Sequence, residues 1–523
     1  MTLLTVPVTN SPTGEIIGEI ERLSRLGADA VELRLDHLRA MDLAGVVRQS
    51  PLPLIVTCRR EDEGGKQPVD DPTRIRWWRD ALRAGAEFID VEWRSWRENP
   101  DIRRELEPLL KKNKTRLILS YHDFSGCPKD PARLTAQIAD EPAADIVKIV
   151  WKPTDIRDNL ICFDLLGDRQ RLTGGKPLIA LCMGEAGLIS RILAKKMDAF
   201  LTFASPDQGA ESAPGQVTLA RMKDLYRWDA LNAETELYGV IGCPVGHSLS
   251  PTIHNPAFAE IRYNAVYLPF LVPAQPEVFD EFVDGLSSRA RICFRGASVT
   301  IPHKKNALDF VRARGGPIEP LAETIGAANT LVVSPNGPPE AYNTDYSAAR
   351  EALTRAMGIK IKDLAGIRIA VLGAGGVARA VVAALTDAGA NVTIYNRTAS
   401  RAHALAETFH CRTAPWEQRE KLSEPLDNIS LIIVNCTSIG MHPNVDASPL
   451  SPDAFNARQI VFDTVYNPIN TLLIKTARKH KCITVDGVSM FVNQAADQFS
   501  RWTAYAAPLC TMRMALLKQL TPI

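Results

Sequence analysis

Short apolar, β-branched runs alternate with helical stretches through the first two hundred residues of the chain. Amphipathic helical patterns, such as residues 15–28 and 74–86, separate these runs, and each ends close to a glycine. From the apolar runs we predict eight strands, at residues 3–8, 30–36, 52–59, 87–93, 116–122, 146–152, 177–183 and 199–204. Eight β/α units in under 230 residues favour a closed (β/α)8 TIM barrel. An open doubly wound sheet is the alternative, but no Gly-rich phosphate loop follows the first run.

A second pattern begins after the short polar joint at residues 229–235. An apolar run at residues 367–372 leads into G-x-G-x-x-A and then a helix, which is the dinucleotide-binding fingerprint. Its glycines allow a tight turn that brings a pyrophosphate close to a helix N-terminus. We therefore predict an α/β second half with a Rossmann domain, whose cofactor-binding residues include Gly373, Ala374, Gly375, Gly376, Val377 and Ala378.

The end of the following strand discriminates between two cofactors. An NAD enzyme would place an acidic residue there to hold the ribose hydroxyl, whereas this chain has Asn396 and Arg397, with Arg401 one helical turn later. Two guanidinium groups near a ribose favour a 2′-phosphate, so we predict NADP(H); the alternative is that both arginines are solvated loop residues.

Charged residues cluster at the predicted carboxyl ends of the barrel strands, where barrel enzymes place their chemistry. Lys148 lies inside the apolar run Ile146–Trp151, and burial there favours the uncharged amine that attacks a carbonyl. His122 ends the preceding strand and could exchange protons near neutral pH. Each has an ordinary explanation, a lysine paired with a carboxylate or a core histidine, but together they indicate a catalytic site.

Composition narrows the class of protein. The chain has 523 residues, 46% of them hydrophobic, and 61 Lys and Arg balance 60 Asp and Glu. We therefore expect no nucleic-acid or membrane partner. Ten scattered cysteines without a C-x-x-C pair predict reduced thiols and no metal site. The first residues resemble neither a signal peptide nor a transit peptide, so we expect a cytoplasmic protein.

Residues 1–228 resemble type I 3-dehydroquinate dehydratase, through collinear segments at 32–36, 57–59, 89–92, 120–124, 146–149, 183–191 and 212–216. The resemblance implies a cofactor-free barrel in which Lys148 forms a Schiff base, His122 is the general acid/base and Glu92 orients His122. Arg191 would bind the substrate carboxylate. The other implied substrate contacts are Glu32, Arg34, Arg59, Ser212 and Gln216.

From residue 238 onward the chain resembles shikimate dehydrogenase, through segments including 248–251, 299–304, 329–330, 343–345, 396–398, 435–441, 463–468 and 486–494. The resemblance implies that Lys304 and Asp345 form the catalytic pair. Substrate contacts would come from Ser248, Ser250, Thr300, Asn329, Tyr466 and Gln494. Further cofactor contacts would come from Asn396, Arg397, Thr398, Arg401, Thr437 and Gly487.

Two residues depart from the pattern of many relatives in this second family. Ser298 replaces an Asn, which removes an amide contact and leaves open the preference between shikimate and quinate. Tyr346 replaces a Gly beside the implied catalytic aspartate and could reshape the rim of the site.

The two families catalyse consecutive steps, so we expect a bifunctional enzyme that converts 3-dehydroquinate to 3-dehydroshikimate and then to shikimate. The domains would be 1–228 (barrel), 236–345 (substrate-binding, completed by C-terminal helices at 488–523) and 346–487 (Rossmann NADP domain). A quinate dehydrogenase or a non-catalytic binding half are the alternatives. The sequence leaves the oligomeric state, channelling and the orientation of the halves open.

Overall fold

The computed structural model describes residues 2–9, 15–38, 42–423 and 431–521. The chain divides into two compact units. The first comprises Met1–Tyr238, Pro244–Gly246 and Asn264–Phe294, and the second comprises Gly239–Cys243, His247–Tyr263 and Arg295–Ile523. Residues 424–430, inside the predicted Rossmann domain, lie outside the described residues.

Eight parallel strands form the first sheet: β1 (Leu3–Val8), β2 (Ala30–Arg34), β3 (Leu54–Thr57), β4 (Phe88–Glu92), β5 (Arg116–Asp123), β6 (Ile146–Trp151), β7 (Leu178–Cys182) and β8 (Leu201–Phe203). Their order is β7-β6-β5-β4-β3-β2-β1-β8, so the last strand pairs with the first. The N–H of Phe200 donates to the carbonyl of Leu178 at 2.8 Å, which brings β7 and β8 together. The predicted barrel is confirmed, and each strand lies within its predicted run or one residue beyond it.

The barrel helices are α1 (Ile16–Arg25), α2 (Leu43–Gln49), α3 (Asp71–Ala84), α4 (Trp93–Glu98), α5 (Pro100–Leu110), α6 (Pro131–Ala139), α7 (Asp158–Gly167), α8 (Arg169–Thr173) and α9 (Leu188–Ile192). Helix α3 begins where the Asp70 carboxylate accepts the Thr73 N–H at 2.8 Å, and it ends at Gly85 in the left-handed conformation. In α1 the buried residues Ile16, Ile20 and Leu23 form one face, as the apolar spacing predicts.

A five-stranded mixed sheet has the order β10-β9-β11-β12-β13. Its strands are β9 (Glu236–Gly242), β10 (Ala265–Leu271), β11 (Phe294–Val299), β12 (Thr330–Val332) and β13 (Glu340–Tyr342). The helices of this segment are α10 (Ser250–Glu260), α11 (Pro276–Ser287), α12 (Lys304–Ala313) and α13 (Pro320–Ile325). Strands β12 and β13 are antiparallel to their neighbours.

A six-stranded parallel sheet has the order β16-β15-β14-β17-β18-β19, which is the doubly wound Rossmann order 3-2-1-4-5-6. Its strands are β14 (Arg368–Leu372), β15 (Asn391–Tyr395), β16 (Arg412–Ala414), β17 (Leu431–Asn435), β18 (Ile460–Asp463) and β19 (Ile483–Val485). The remaining helices are α14 (Asp345–Met357), α15 (Gly376–Asp387), α16 (Ala399–Phe409), α17 (Leu472–Lys479), α18 (Gly487–Thr503) and α19 (Leu509–Leu520). Apolar residues on both faces of this sheet are buried, as a parallel sheet covered by helices requires.

Candidate active sites

A pocket of the barrel collects every implied dehydratase residue except Glu92. Its lining includes Glu32, Arg34, Arg59, Glu63, His122, Phe124, Lys148, Arg191, Phe203, Ser212 and Gln216. The strand-end residues meet here because eight parallel strands deliver their carboxyl ends to the same face of the barrel.

Lys148 projects from β6 and is 4% exposed. Its Nζ donates to Asp90 Oδ2 on β4 at 2.8 Å and lies 3.8 Å from Glu32 Oε1. Asp90 is fully buried and also accepts hydrogen bonds from Ser120 at 2.6 Å and from Arg59 at 2.8 Å. Burial alone would raise the pKa of Asp90, but the Arg59 and Lys148 cations hold it below its ordinary range. Asp90 is therefore an ionised carboxylate in direct contact with the Lys148 amino group.

The carboxylate that contacts His122 is Glu63, whereas the contacts of Glu92, which the resemblance implies as the orienting residue, are with other side chains and with the backbone. Glu63 Oε2 lies 3.2 Å from His122 Nδ1 and accepts the backbone N–H of His122 at 3.0 Å. Burial and the negative charge of Glu92 raise the pKa of Glu63 to about 8. Burial, followed by the positive charges of Arg59 and Lys148, holds the pKa of His122 well below its ordinary value. His122 is thus a neutral imidazole near neutral pH.

The Glu92 carboxylate accepts hydrogen bonds from groups other than His122. Its carboxylate accepts the Arg60 N–H at 2.9 Å and the Ser95 hydroxyl at 3.2 Å, and it pairs with the buried guanidinium of Arg74. The bond to Arg60 anchors the short 3₁₀ helix Glu61–Glu63 that carries Glu63. Glu92 therefore shapes the turn that places Glu63.

Arg191, on α9, is 3% exposed and aims into the same pocket. Burial lowers the pKa of Arg191 to about 10, and no ion pair involving Arg191 is present in the part of the chain that the structure describes. A buried cation without a counter-ion is a site for a ligand carboxylate. Beside it, Gln216 Nε2 donates to Ser212 Oγ at 3.1 Å, and both belong to a loop that rims the pocket.

Within the second unit, Lys304 Nζ and Asp345 Oδ2 form an ion pair, in which Asp345 is buried and Lys304 is half-buried. The two residues begin α12 and α14. Lys304 also lies against the glycine loop, because a Cβ on Gly376 would come within 3.2 Å of Lys304 Cδ. The absence of a side chain at Gly376 thus lets the lysine approach the dinucleotide fingerprint.

The implied shikimate contacts lie on several loops and helices of the second half. Ser248 Oγ donates to Ser250 Oγ at 3.2 Å at the start of α10. Asn329 is buried, and its amide donates to the Thr344 hydroxyl at 3.1 Å beside Asp345. Tyr466 stacks on Phe491 with ring centroids 4.0 Å apart, and burial raises the pKa of Tyr466 to about 12. Thr300 follows β11, and Gln494 lies on α18.

The two departures from the family pattern have structural explanations. The Ser298 hydroxyl donates to Gln498 Oε1 at 2.7 Å, and Gln498 Nε2 donates in turn to the carbonyl of Asn329 at 3.1 Å. An amide from α18 therefore reaches this strand end, which sequence reasoning missed. Tyr346 packs in the core of the Rossmann domain and donates to Asp387 at 2.9 Å, so its ring is committed to the core and not to a rim.

The nucleotide loop has the backbone that the fingerprint predicts. Gly373 has a φ of +109°, and Gly375 precedes α15 as its N-cap. Asn396 donates to the carbonyl of Thr398 at 2.9 Å, which fixes the loop after β15. Arg397 and Arg401 are exposed there, and neither forms an ion pair with another described residue. These features fit a dinucleotide whose ribose carries a phosphate.

No group of three or more His, Cys, Asp or Glu side chains among the described residues is arranged to hold a metal ion. Within that same part of the chain, no helix combines the length and apolar character that a membrane crossing requires.

A barrel with a lysine-centred pocket, followed by a substrate domain and a Rossmann domain, defines a lyase joined to a dinucleotide-dependent oxidoreductase. Family models agree with each part: type I 3-dehydroquinase over residues 4–233, the shikimate dehydrogenase substrate binding domain over 240–331, and shikimate/quinate 5-dehydrogenase over 356–465.

Similar proteins cover both the whole chain and its second half. The bifunctional 3-dehydroquinate dehydratase/shikimate dehydrogenase of Arabidopsis thaliana, a chloroplastic protein, is 36% identical over 97% of this chain and 83% of its own. A shikimate dehydrogenase (NADP(+)) of Methanosarcina mazei is 39% identical over 54% of this chain and 99% of its own. A crystal structure of a shikimate dehydrogenase with NADP+ matches with a TM-score of 0.50 and 33% identity, over 56% of this chain and 98% of that one. The chain therefore belongs to the family of bifunctional 3-dehydroquinate dehydratase/shikimate dehydrogenases, enzymes of the shikimate pathway.

Proposed function

We propose that the barrel dehydrates 3-dehydroquinate through an imine on Lys148, and that the second half reduces the product with NADPH. The observation that carries this proposal is the convergence of Lys148, His122 and Arg191 in one pocket, on a chain that also pairs Lys304 with Asp345 at its glycine loop.

In the barrel, the Lys148 amine attacks the ketone carbon and the carbinolamine loses water, which gives an iminium ion. The positive charge of this iminium draws in the electrons that are released when His122 removes the neighbouring proton. The resulting enamine expels the β-hydroxyl, and His122 returns its proton to that oxygen, so that water leaves. Hydrolysis of the imine then frees the product and Lys148. Asp90, whose Oδ2 lies 2.8 Å from the Lys148 Nζ of the free enzyme, offsets the positive charge of the iminium.

The remaining pocket residues bind and orient the substrate. Arg191 supplies a buried cation for the substrate carboxylate. Their electrostatic attraction is stronger in this desolvated pocket than in water. Glu32, Arg34 and Arg59 provide polar groups for the hydroxyls, and Ser212 with Gln216 closes the loop over them. We propose that Glu63 orients His122, the role that the family resemblance implies for Glu92, because Glu63 contacts both the ring and the backbone of His122.

In the second half, NADPH would supply the hydride for the ketone carbon of 3-dehydroshikimate when it is bound. The developing alkoxide needs a proton and a nearby positive charge, and Lys304 provides both while Asp345 holds its ammonium in place. Ser248, Ser250, Thr300, Asn329, Tyr466 and Gln494 contact the carboxylate and hydroxyls. Residues 373–378, Asn396, Thr398, Thr437 and Gly487 contact the cofactor.

Arg397 and Arg401 would select NADPH over NADH by binding the 2′-phosphate. We expect Arg397→Ala combined with Arg401→Ala to raise the KM for NADPH about 10- to 100-fold, because charged hydrogen bonds to phosphate are lost. The KM for NADH should stay the same, since NADH has no such phosphate. Arg458→Ala, at an exposed arginine in the turn before β18, is the matched control and should change neither KM. Equal effects on both cofactors would contradict the assignment.

Glu63 should govern the pH dependence of dehydration. Its pKa is raised to about 8, so it holds a proton below that pH, and ionisation changes the charge directly beside His122 Nδ1, 3.2 Å away. We expect the wild-type dehydratase kcat/KM to increase between about pH 7 and pH 9 and then level. Glu63→Gln should lack this increase and lose roughly 10²-fold in rate.

Glu61→Gln is the matched control for this change, because Glu61 is exposed in the same turn. It should keep the wild-type rate and pH profile. An unchanged rising profile in Glu63→Gln would show that another group titrates.

The three-domain division at 1–228, 236–345 with 488–523, and 346–487 is part of the proposal. It is supported by the three sheets, which occupy these segments in order. A cytoplasmic location stays a prediction from the sequence, alongside a relative that is chloroplastic.

A further inference from the structure

A buried carboxylate joins the ends of two neighbouring strands of the Rossmann sheet. Asn435 and Asp463 are the last residues of β17 and β18, and they lie opposite each other in the parallel register. Both are fully buried. Asn435 Nδ2 donates to Asp463 Oδ1 at 2.9 Å, which ties the two strand ends together by their side chains.

One branch of this network leads to the nucleotide loop. Asn435 Oδ1 accepts the Thr437 N–H at 3.0 Å and the Thr437 hydroxyl at 2.7 Å. Thr437 Cγ2 in turn lies 3.2 Å from the position that a Cβ on Gly373 would occupy. The loop after β17 is therefore fixed against the first glycine of the dinucleotide fingerprint by an amide that Asp463 orients.

The other branch leads to the substrate side. Asp463 Oδ1 also accepts the Val465 N–H at 3.1 Å, which fixes the backbone immediately before Tyr466. Asp463 Oδ2 accepts the Thr471 hydroxyl at 2.6 Å, and Thr471 caps the start of α17. The loop between β18 and α17, which carries Tyr466, is thus held at both ends by one carboxylate.

The hydrogen-bond partners of the Asp463 carboxylate are unusual for a buried acidic group. Its three donors are an amide, a hydroxyl and a backbone N–H, all of them neutral. Burial raises the pKa of Asp463 to about 6, while these donors oppose that rise. A carboxylate accepts from all three donors, whereas an asparagine would turn its NH2 group towards at least one of them. Only an acidic side chain satisfies this arrangement completely.

We propose that Asp463 is a positioning residue that supports the cofactor and the substrate sides of the dehydrogenase site together. This inference rests on the proposed contacts of Thr437 with NADP and of Tyr466 with shikimate. It predicts that a single change at Asp463 weakens two different ligands, each bound by a different loop.

The test measures the Kd of NADP+ alone and of shikimate alone on the full chain by titration calorimetry. For Asp463→Asn we expect both Kd values to increase about tenfold, because at least one charged hydrogen bond is lost. Thr437→Ala should increase only the NADP+ Kd, and Tyr466→Phe only the shikimate Kd. Dehydratase activity in the same chain should stay at the wild-type value, which reports on folding of the barrel.

Asp453→Asn is the matched control, because Asp453 is an exposed aspartate of the same sheet's connections. It should leave both Kd values unchanged. If Asp463→Asn does not fold, Thr471→Val removes one donor at nearly constant volume and should increase both Kd values about threefold, while Thr471→Ser should preserve them.

A change in only one Kd, or in neither, would overturn the inference. A wild-type chain that binds neither NADP+ nor shikimate would instead remove the proposed function itself. These two failures are therefore distinguished by the wild-type titration.

Discussion

Lys148→Ala is expected to abolish dehydration of 3-dehydroquinate while reduction of 3-dehydroshikimate continues at the wild-type rate. Without the amine no iminium forms, so the electrons released by proton removal have no acceptor. We expect kcat to fall by at least about 10⁴-fold, as for other essential nucleophiles. The measurement is the rate of appearance of 3-dehydroshikimate, paired with borohydride reduction in the presence of substrate and mass analysis of the chain.

In the wild type, borohydride should attach the substrate skeleton covalently to the peptide containing Lys148, and in Lys148→Ala this adduct should be absent. Lys112→Ala, an exposed lysine after α5, is the matched control and should keep both the rate and the adduct. Retained dehydration in Lys148→Ala, or loss of both activities in a folded variant, would contradict two independent sites.

Lys304→Ala has the second large effect, on the other half of the chain. Its ammonium pairs with Asp345, while the methylene stem of the same side chain lies against the glycine loop. Its removal takes away the proton donor and the positive charge at the developing alkoxide. We expect the dehydrogenase kcat to fall about 10²- to 10⁴-fold, measured by NADPH absorbance with added 3-dehydroshikimate.

Lys305→Ala provides a control one residue away. The Lys305 side chain is 76% exposed and pairs with Asp309 on the surface of α12. This variant should reduce 3-dehydroshikimate at the wild-type rate, and the dehydratase should be unaffected in both variants. A Lys304→Ala enzyme that keeps its kcat and only gains a higher KM would reassign the lysine to substrate binding.

Much of the fold follows from local patterns in the sequence. The apolar runs and glycines correctly predict the eight barrel strands and the fingerprint formed by β14, its loop and α15. They do so because the spacing of apolar residues and the residue types of turns are local properties of the sequence. The convergence of Lys148 and His122 also follows, since parallel strands bring their carboxyl ends to one face.

The contact between Glu63 and His122 could not be predicted from the pattern of apolar and polar residues. Glu63 lies in a short 3₁₀ turn after β3, where no periodicity indicates which way a side chain points. Glu92 ends a strand, as His122 nearly does, and this position favours it as the residue that orients His122. In the structure its carboxylate instead pairs with Arg74 and accepts the Arg60 N–H. The acidic run at residues 61–63, directly after a strand-end arginine, was the available signal.

Side-chain contacts between residues far apart in the chain could not be predicted from the sequence either. Gln498 contacts Ser298 from 200 residues away along the chain, and this pairing depends on how α18 packs. The Asn435–Asp463 contact joins strand ends 28 residues apart and requires the exact register of β17 and β18. Such contacts are properties of tertiary packing, which a single sequence does not encode locally.

The central claim is that one chain carries two working sites in series. It is tested most directly by following NADPH absorbance after adding 3-dehydroquinate alone to the purified wild-type protein. We expect a steady loss of NADPH, because the barrel converts 3-dehydroquinate to the 3-dehydroshikimate that the second half reduces. No loss of NADPH from 3-dehydroquinate would contradict the account.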